Sequence, residues 1–247
     1  MKGRGLLALL LGLALAGCGV GQESRQVSET STQLGIGYMQ RGDLNQAKEE
    51  LEKAIDRDRR NPDAHGAMAV LQERLGQYDE ADAAFQRSLS LDDEQPAVRN
   101  NYGRFLCSRG RYEEADEQFR MAIDDPLYRR PFVALANAGH CALRAEEFER
   151  AEDYLRRALE EQPQFAPALR RLAELNYERG DYLNARGYYQ RLIEVREQDP
   201  RTLWLGIRIE RALGNKDAEA SYALRLRSDF PDSEQAARLS ELKEQDD

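Results

Sequence analysis

The sequence predicts an all-α protein, a right-handed superhelical solenoid of about six helix-pair repeats. Three observations carry that prediction. Glycines recur at a fixed interval: Gly42, Gly76 and Gly110 are 34 residues apart, as are Gly180 and Gly214. A small residue follows each turn at one offset, as Ala47, Ala81, Ala115, Ala151 and Ala185. Apolar residues keep a helical period throughout, and no segment alternates as a strand does.

The units run over about 28–61, 62–95, 96–131, 132–165, 166–199 and a degenerate 200–230, with a C-terminal helix and tail over 231–247. In the first unit Leu34-Gly35 and Tyr38 precede Ala47, Leu51 and Ala54; in the second Met68-Ala69 precedes Ala81 and Phe85. Tyr102-Gly103, Ala138-Gly139 and Leu172-Ala173 open the next three units, each followed by its alanine and a large apolar residue. A 34-residue period of paired helices with this pattern is the signature of the tetratricopeptide repeat (TPR). The small residues let two antiparallel helices approach closely. Glycine at the turn supplies the positive φ that ends a first helix. Pro62, Pro96, Pro167 and Pro200 fall at or near first turns of following units, where a missing N–H is harmless. In the fourth unit Glu146-Glu147-Phe148 stands in the turn slot without a glycine. Two extra residues lie in 125–131, and the last unit loses its alanine pattern, as capping repeats do.

The N-terminus reads as a signal rather than as fold. Lys2 and Arg4 precede an apolar run, Leu6 to Leu15, too short for the roughly 20 residues that span a bilayer. Leu15-Ala16-Gly17-Cys18 resembles the bacterial lipobox. That resemblance implies a signal peptide over 1–17, cleavage after Gly17, and acylation (palmitate included) of Cys18, with 18–27 as the lipidated N-terminus and a short linker. Several acyl chains on one residue anchor stably in a bilayer. No Asp follows the cysteine, so the expected address is the outer membrane, facing the periplasm.

Charge narrows the function classes. The chain carries −9, and loss of Lys2 and Arg4 takes the mature form to about −11. No basic stripe runs along the sequence, which argues against nucleic acid as a partner. No Ser-His-Asp order, phosphate loop, paired-acid motif or metal spacing is visible. The expectation is therefore no enzyme, no cofactor, no metal and no small-molecule substrate. His65 and His140 lie in different repeats and read as structural.

Beyond the generic repeat, Asn100-Asn101-Tyr102-Gly103-Arg104-Phe105-Leu106-Cys107, Asp125-Pro126-Leu127-Tyr128 and Asn137-Ala138-Gly139-His140-Cys141-Ala142-Leu143 are particular to this chain. Leu205-Gly206-Ile207-Arg208 and Ala220-Ser221-Tyr222-Ala223-Leu224 add to them. With the lipobox and six repeats, the whole mature chain resembles the PilF/PilW family of type IV pilus biogenesis lipoproteins. The resemblance implies a pilotin, which binds the pilus secretin and promotes its localisation or oligomerisation in the outer membrane. A scaffold of another envelope assembly or export machine, and an activator subunit of a periplasmic enzyme, are the alternatives.

The expected partner groove is apolar and N-terminal. First helices line the concave face of a TPR stack, which places Ile36, Met39 and Val70 toward it, with Gly66 leaving room beside them. Exposed apolar side chains gathered in one place mark an interaction surface; the competing expectation is that the 19–28 segment or tight packing buries them. Leu143 and Tyr177 occupy the corresponding slots further along. Asn101 and Asn137 share one slot, but the basic companions of a carboxylate clamp are incomplete, so a structural role is favoured. Cys107 and Cys141 fall near the middle of first helices in adjacent repeats and are the candidate disulfide in an oxidising compartment.

Overall fold

The computed structural model describes residues 5–244, with side chains described from 21 to 241. Those residues form thirteen α-helices and no strand. The fold class is the all-α TPR solenoid expected, and the chain divides into two compact units, one ending at Arg109 and the other beginning at Gly110. The first holds α1 (Gly5–Arg41), α2 (Leu44–Arg57), α3 (Pro62–Arg74), α4 (Tyr78–Leu91) and α5 (Pro96–Ser108). The second holds α6 (Tyr112–Ile123), α7 (Pro131–Arg144), α8 (Phe148–Glu161), α9 (Ala166–Glu178), α10 (Tyr182–Val195), α11 (Pro200–Ala212), α12 (Lys216–Asp229) and α13 (Glu234–Glu244).

Local chemistry explains the helix ends. Prolines occupy the first turn of α3, α5, α7, α9 and α11. Asp43, Asn61, Asp181, Asp199 and Asn215 accept backbone N–H groups as N-caps. Between paired helices one residue turns left-handed: Gly42, Gly76, Gly110, Gly180 and Gly214 have φ of 73 to 83°. The fourth turn, which lacks glycine, uses Glu146 at φ 60° and closes the same way, with Glu147 N–H donating to the Ala142 carbonyl at 2.9 Å.

Within each unit, paired helices pack through the predicted small residues. In the first, α1 lies on α2 and α3 on α4, with α3 also touching α1 and α5. Ala47, Leu51, Ala54, Ala81 and Phe85 are fully buried there. In the second, α7 pairs with α8, α9 with α10 and α11 with α12, and the first helices α7, α9 and α11 touch in succession. Where the last repeat loses the alanine pattern, Leu203, Ile207, Ala223 and Leu226 close the core with Ala236 and Leu239 of α13.

One boundary differs from expectation. The segment 18–27, expected as a short linker, belongs to α1. Glu23, Arg25 and Gln26 are good helix formers and no proline interrupts them. A buried polar cluster then ties this end down. Ser28 donates to the Ala54 carbonyl at 2.8 Å, and Asn61 Nδ2 donates to Ser28 Oγ at 2.8 Å. The side chain of Cys18, the expected lipid site, lies outside the described residues.

Candidate partner-binding groove

In the first unit, α1, α3 and α5 enclose a cavity of about 340 Å³ open to solvent. Its lining unites Ile36, Met39, Gly66 and Val70, the four residues expected to form the groove. Ala67, Ala97 and Val98 complete the apolar surface, while Asp63, Arg74 and Asn101 are among the polar lining residues. Ile36 and Val70 are half-buried and pack on the core cluster of Leu51, Met68 and Leu71. They remain wet on one side, the position a partner's apolar side chain would cover. The 21–28 segment contributes nothing to this lining.

Two of the four play different parts from those expected. Met39 is only 5% exposed and belongs to the core cluster, so it forms the floor of the cavity rather than a contact surface. Its carbonyl accepts Arg74 Nη1 at 2.7 Å, which fastens α3 to α1 beside the cavity. Gly66 does not leave open room. A Cβ there would lie 3.0 Å from Val98 Cγ2 and 3.2 Å from Ser88 Oγ, so the missing side chain admits α5. Val98 and Ala67 were missed by sequence reasoning. The only signal for Val98 was the glycine itself, whose vacancy some neighbour had to fill.

Of the other candidates Asn101 lines this cavity, whereas His65, His140, Tyr177 and the two cysteines are not in its lining. Tyr177 is not bare: the Arg208 guanidinium lies 4.1 Å from its ring centre and Tyr182 packs at 5.5 Å. His65 sits against the Arg59 carbonyl at 3.1 Å. His140 is held down to a pKa of about 4, first by burial and then by the charges of Arg171, Arg144 and Arg170, so it is neutral at pH 7. Cys107 and Cys141 are each 4% exposed and each in the disulfide state. Among the described residues no group of three or more His, Cys, Asp or Glu could hold a metal ion, and no helix is long and apolar enough to cross a membrane.

The repeats and the helix pairs define a TPR protein. Tetratricopeptide-repeat family profiles match residues 38–87, and 67–128 with 137–202. The type IV pilus assembly protein PilF of Pseudomonas aeruginosa is 32% identical over 242 residues, covering 94% of this chain and 96% of PilF. The crystal structure of PilW, described as a widely conserved type IV pilus biogenesis factor, superposes with a TM-score of 0.81 at 36% identity, covering 87% of this chain and 98% of PilW. A solved structure of Pseudomonas aeruginosa PilF gives 0.79 at 32% identity, covering 88% of this chain and 98% of that one. The chain belongs to the PilF/PilW family of TPR proteins.

Proposed function

We propose that this protein is an outer-membrane lipoprotein of type IV pilus biogenesis, acylated at Cys18 and facing the periplasm. In this reading it binds the pilus secretin through the α1–α3–α5 groove and promotes the secretin's localisation and oligomerisation. Its homology to PilF and PilW along nearly its whole length supports a pilus role. The observation that carries the groove is the joint lining of one 340 Å³ cavity by Ile36, Met39, Gly66 and Val70. It is an adaptor in this account and not a catalyst: its work is to bury a partner's apolar side chains against Ile36 and Val70.

The test is capture of secretin from detergent-solubilised membranes by the lipidated protein, with Ile36→Asp and Val70→Asp beside the wild type. Secretin retained by wild type and lost by both variants, at equal levels of folded protein, is the expected result. Equal capture by all three would remove the groove from the account. Mass spectrometry of the mature N-terminus checks acylation of Cys18, and an unmodified terminus at another residue would overturn the anchor.

A further inference from the structure

The groove of the first unit has a property that its apolar walls do not explain. Among its twelve lining residues one is a cation, Arg74, and one an anion, Asp63. Asp63 stands in the first turn of α3 and Arg74 in its last. At 1.5 Å per residue they lie about 16 Å apart along the helix axis. Arg74 Nη1 donates to the Met39 carbonyl at 2.7 Å, and its other N–H donors have no partner among the described residues. The Asp63 carboxylate has no hydrogen bond or ion pair among them either. Glu73, next to Arg74 in the chain, is already taken by Arg104 of α5 at 3.2 Å.

The remaining polar lining is made of side-chain amides, Gln33 and Gln40 of α1 and Asn101 of α5. Each amide offers both a donor and an acceptor, the two functions that an extended peptide backbone presents in return. An acyl chain has nothing to offer these amides and would take them out of water. At about 340 Å³ the cavity is at the small end of ligand pockets, room for a few side chains of one segment rather than for a folded surface.

Resting on the groove as the partner site proposed above, we infer that its occupant is a peptide segment with an acidic residue on one side of its apolar anchor. The apolar side chains cover Ile36 and Val70, the carboxylate meets Arg74, and no second acid stands at the Asp63 end. Guanidinium pairs with carboxylate in a planar, two-point geometry, and the bond to the Met39 carbonyl already orients Arg74 for it. Arg74 is exposed, so this pair adds discrimination more than affinity and weakens with salt. Asp63 repels a carboxylate at its own end, which gives the segment one bearing along α3. Apolar walls select any greasy segment; Arg74 and Asp63 select among them.

The experiment is calorimetric titration of the purified chain with four synthetic peptides, blocked at both ends and sharing a Leu-Ala-Leu core. They carry Gln on both sides of the core, Glu before it, Glu after it, or Glu on both sides. On a chain of net charge −9 an acidic peptide is otherwise disfavoured, so a preference for Glu reports the local site. The better single-Glu peptide should bind about fivefold more tightly than the Gln peptide at low salt. The double-Glu peptide should lose part of that gain, and Asp63→Asn should restore it. Arg74→Gln should bring the Glu-to-Gln affinity ratio to about one and Arg74→Lys should keep part of it, a ratio that general loosening of the groove does not move. Ile36→Asp should remove binding of all four, and thermal melts show whether each variant is folded. Equal affinity for the Gln and single-Glu peptides, or a Glu preference that persists in folded Arg74→Gln, would overturn the role of Arg74 while Ile36-dependent binding left the apolar groove standing. Binding indifferent to Ile36→Asp, or no saturable binding, would remove both. Displacement of the peptides by decanoate at equal concentration would give the groove to an acyl chain instead.

Discussion

Gly35 and Leu51 compete for one space: a Cβ added to Gly35 would fall 2.6 Å from Leu51 Cγ and 3.3 Å from the Ala47 carbonyl oxygen. The fourth repeat copies the relationship, with Gly139 2.7 Å from Leu155 Cγ on the same construction. Where the small slot is alanine instead, at Ala69 and Ala173, the residue sixteen further on is Phe85 or Tyr189. A flat ring leaves space for a methyl group that a branched leucine fills. Gly35→Ala and Gly139→Ala should therefore destabilise by about 1–2 kcal/mol, overpacking outweighing the roughly 1 kcal/mol of helix propensity gained. Urea denaturation measures this; a variant as stable as wild type would show that Leu51 or Leu155 yields freely.

Glu146 is the exception among the turn residues, the one described non-glycine residue at positive φ. A side chain there strains the backbone by about 1 kcal/mol. Glu146→Gly should raise stability by about 0.5–1 kcal/mol, since strain relief exceeds the added freedom of the unfolded chain. A lower melting temperature would contradict this.

In the groove, Asp in place of Ile36 or Val70 puts a carboxylate on an apolar wall whose dry side packs on the core cluster around Met39 and Leu51. We expect about 1–2 kcal/mol of lost stability, because each site keeps one face in water, and at least tenfold weaker secretin binding. Calorimetric melting and a binding titration together separate the two effects. Loss of fold with binding affinity unchanged in the residual folded protein would contradict the assignment.

Cys107 and Cys141, both in the disulfide state, are expected to pair with each other. Peptide mapping under non-reducing conditions should recover one cross-linked peptide holding both residues. Replacing either by serine should cost about 3–4 kcal/mol, the entropy that closing a loop of about 33 residues removes from the unfolded chain. Two free thiols in unfolded, periplasm-purified protein would refute the pairing.

His140 makes stability depend on pH. Its folded pKa of about 4 lies below the ordinary 6.5, so the unfolded chain takes up the proton first as pH falls. The contribution is complete above pH 6.5 and is lost as pH drops through about 4. Discounted for a ring only half buried, the loss should be about 1–2 kcal/mol. His140→Gln should flatten that part of the stability–pH curve, and an unchanged slope would assign the acid sensitivity elsewhere.

The features that were readable in the sequence are those made by local rules. Turn glycines and slot alanines repeat because each helix pair solves one packing problem, so the period exposed the fold. Ile36 and Val70 followed from the same register. Val98 did not, because what fills the void at Gly66 is decided by the approach of α5, a distance no spacing encodes. The arginines that act on His140 were invisible for the same reason: Arg144 and Arg170 are far apart in the chain, and both bear on His140 only because α7 packs on α9. The supposed linker misled for another reason. It was read as the stretch left between the lipobox and the first repeat, whereas Ser28 and Asn61 tie down the next turn and the helix runs on through it.

That continuity gives α1 the character of a boom. From Gly21 to Ile36 it is unbroken helix, about 22 Å of rise at 1.5 Å per residue. A flexible leash would let the groove sample a hemisphere above its attachment point. A stiff one sets both reach and bearing, and each residue inserted between Cys18 and Ser28 would swing the groove by about 100° around the axis. With an acyl group on Cys18, compass heading as well as height would then be inherited from the membrane. An insertion of a whole number of turns would be tolerated where half a turn would not.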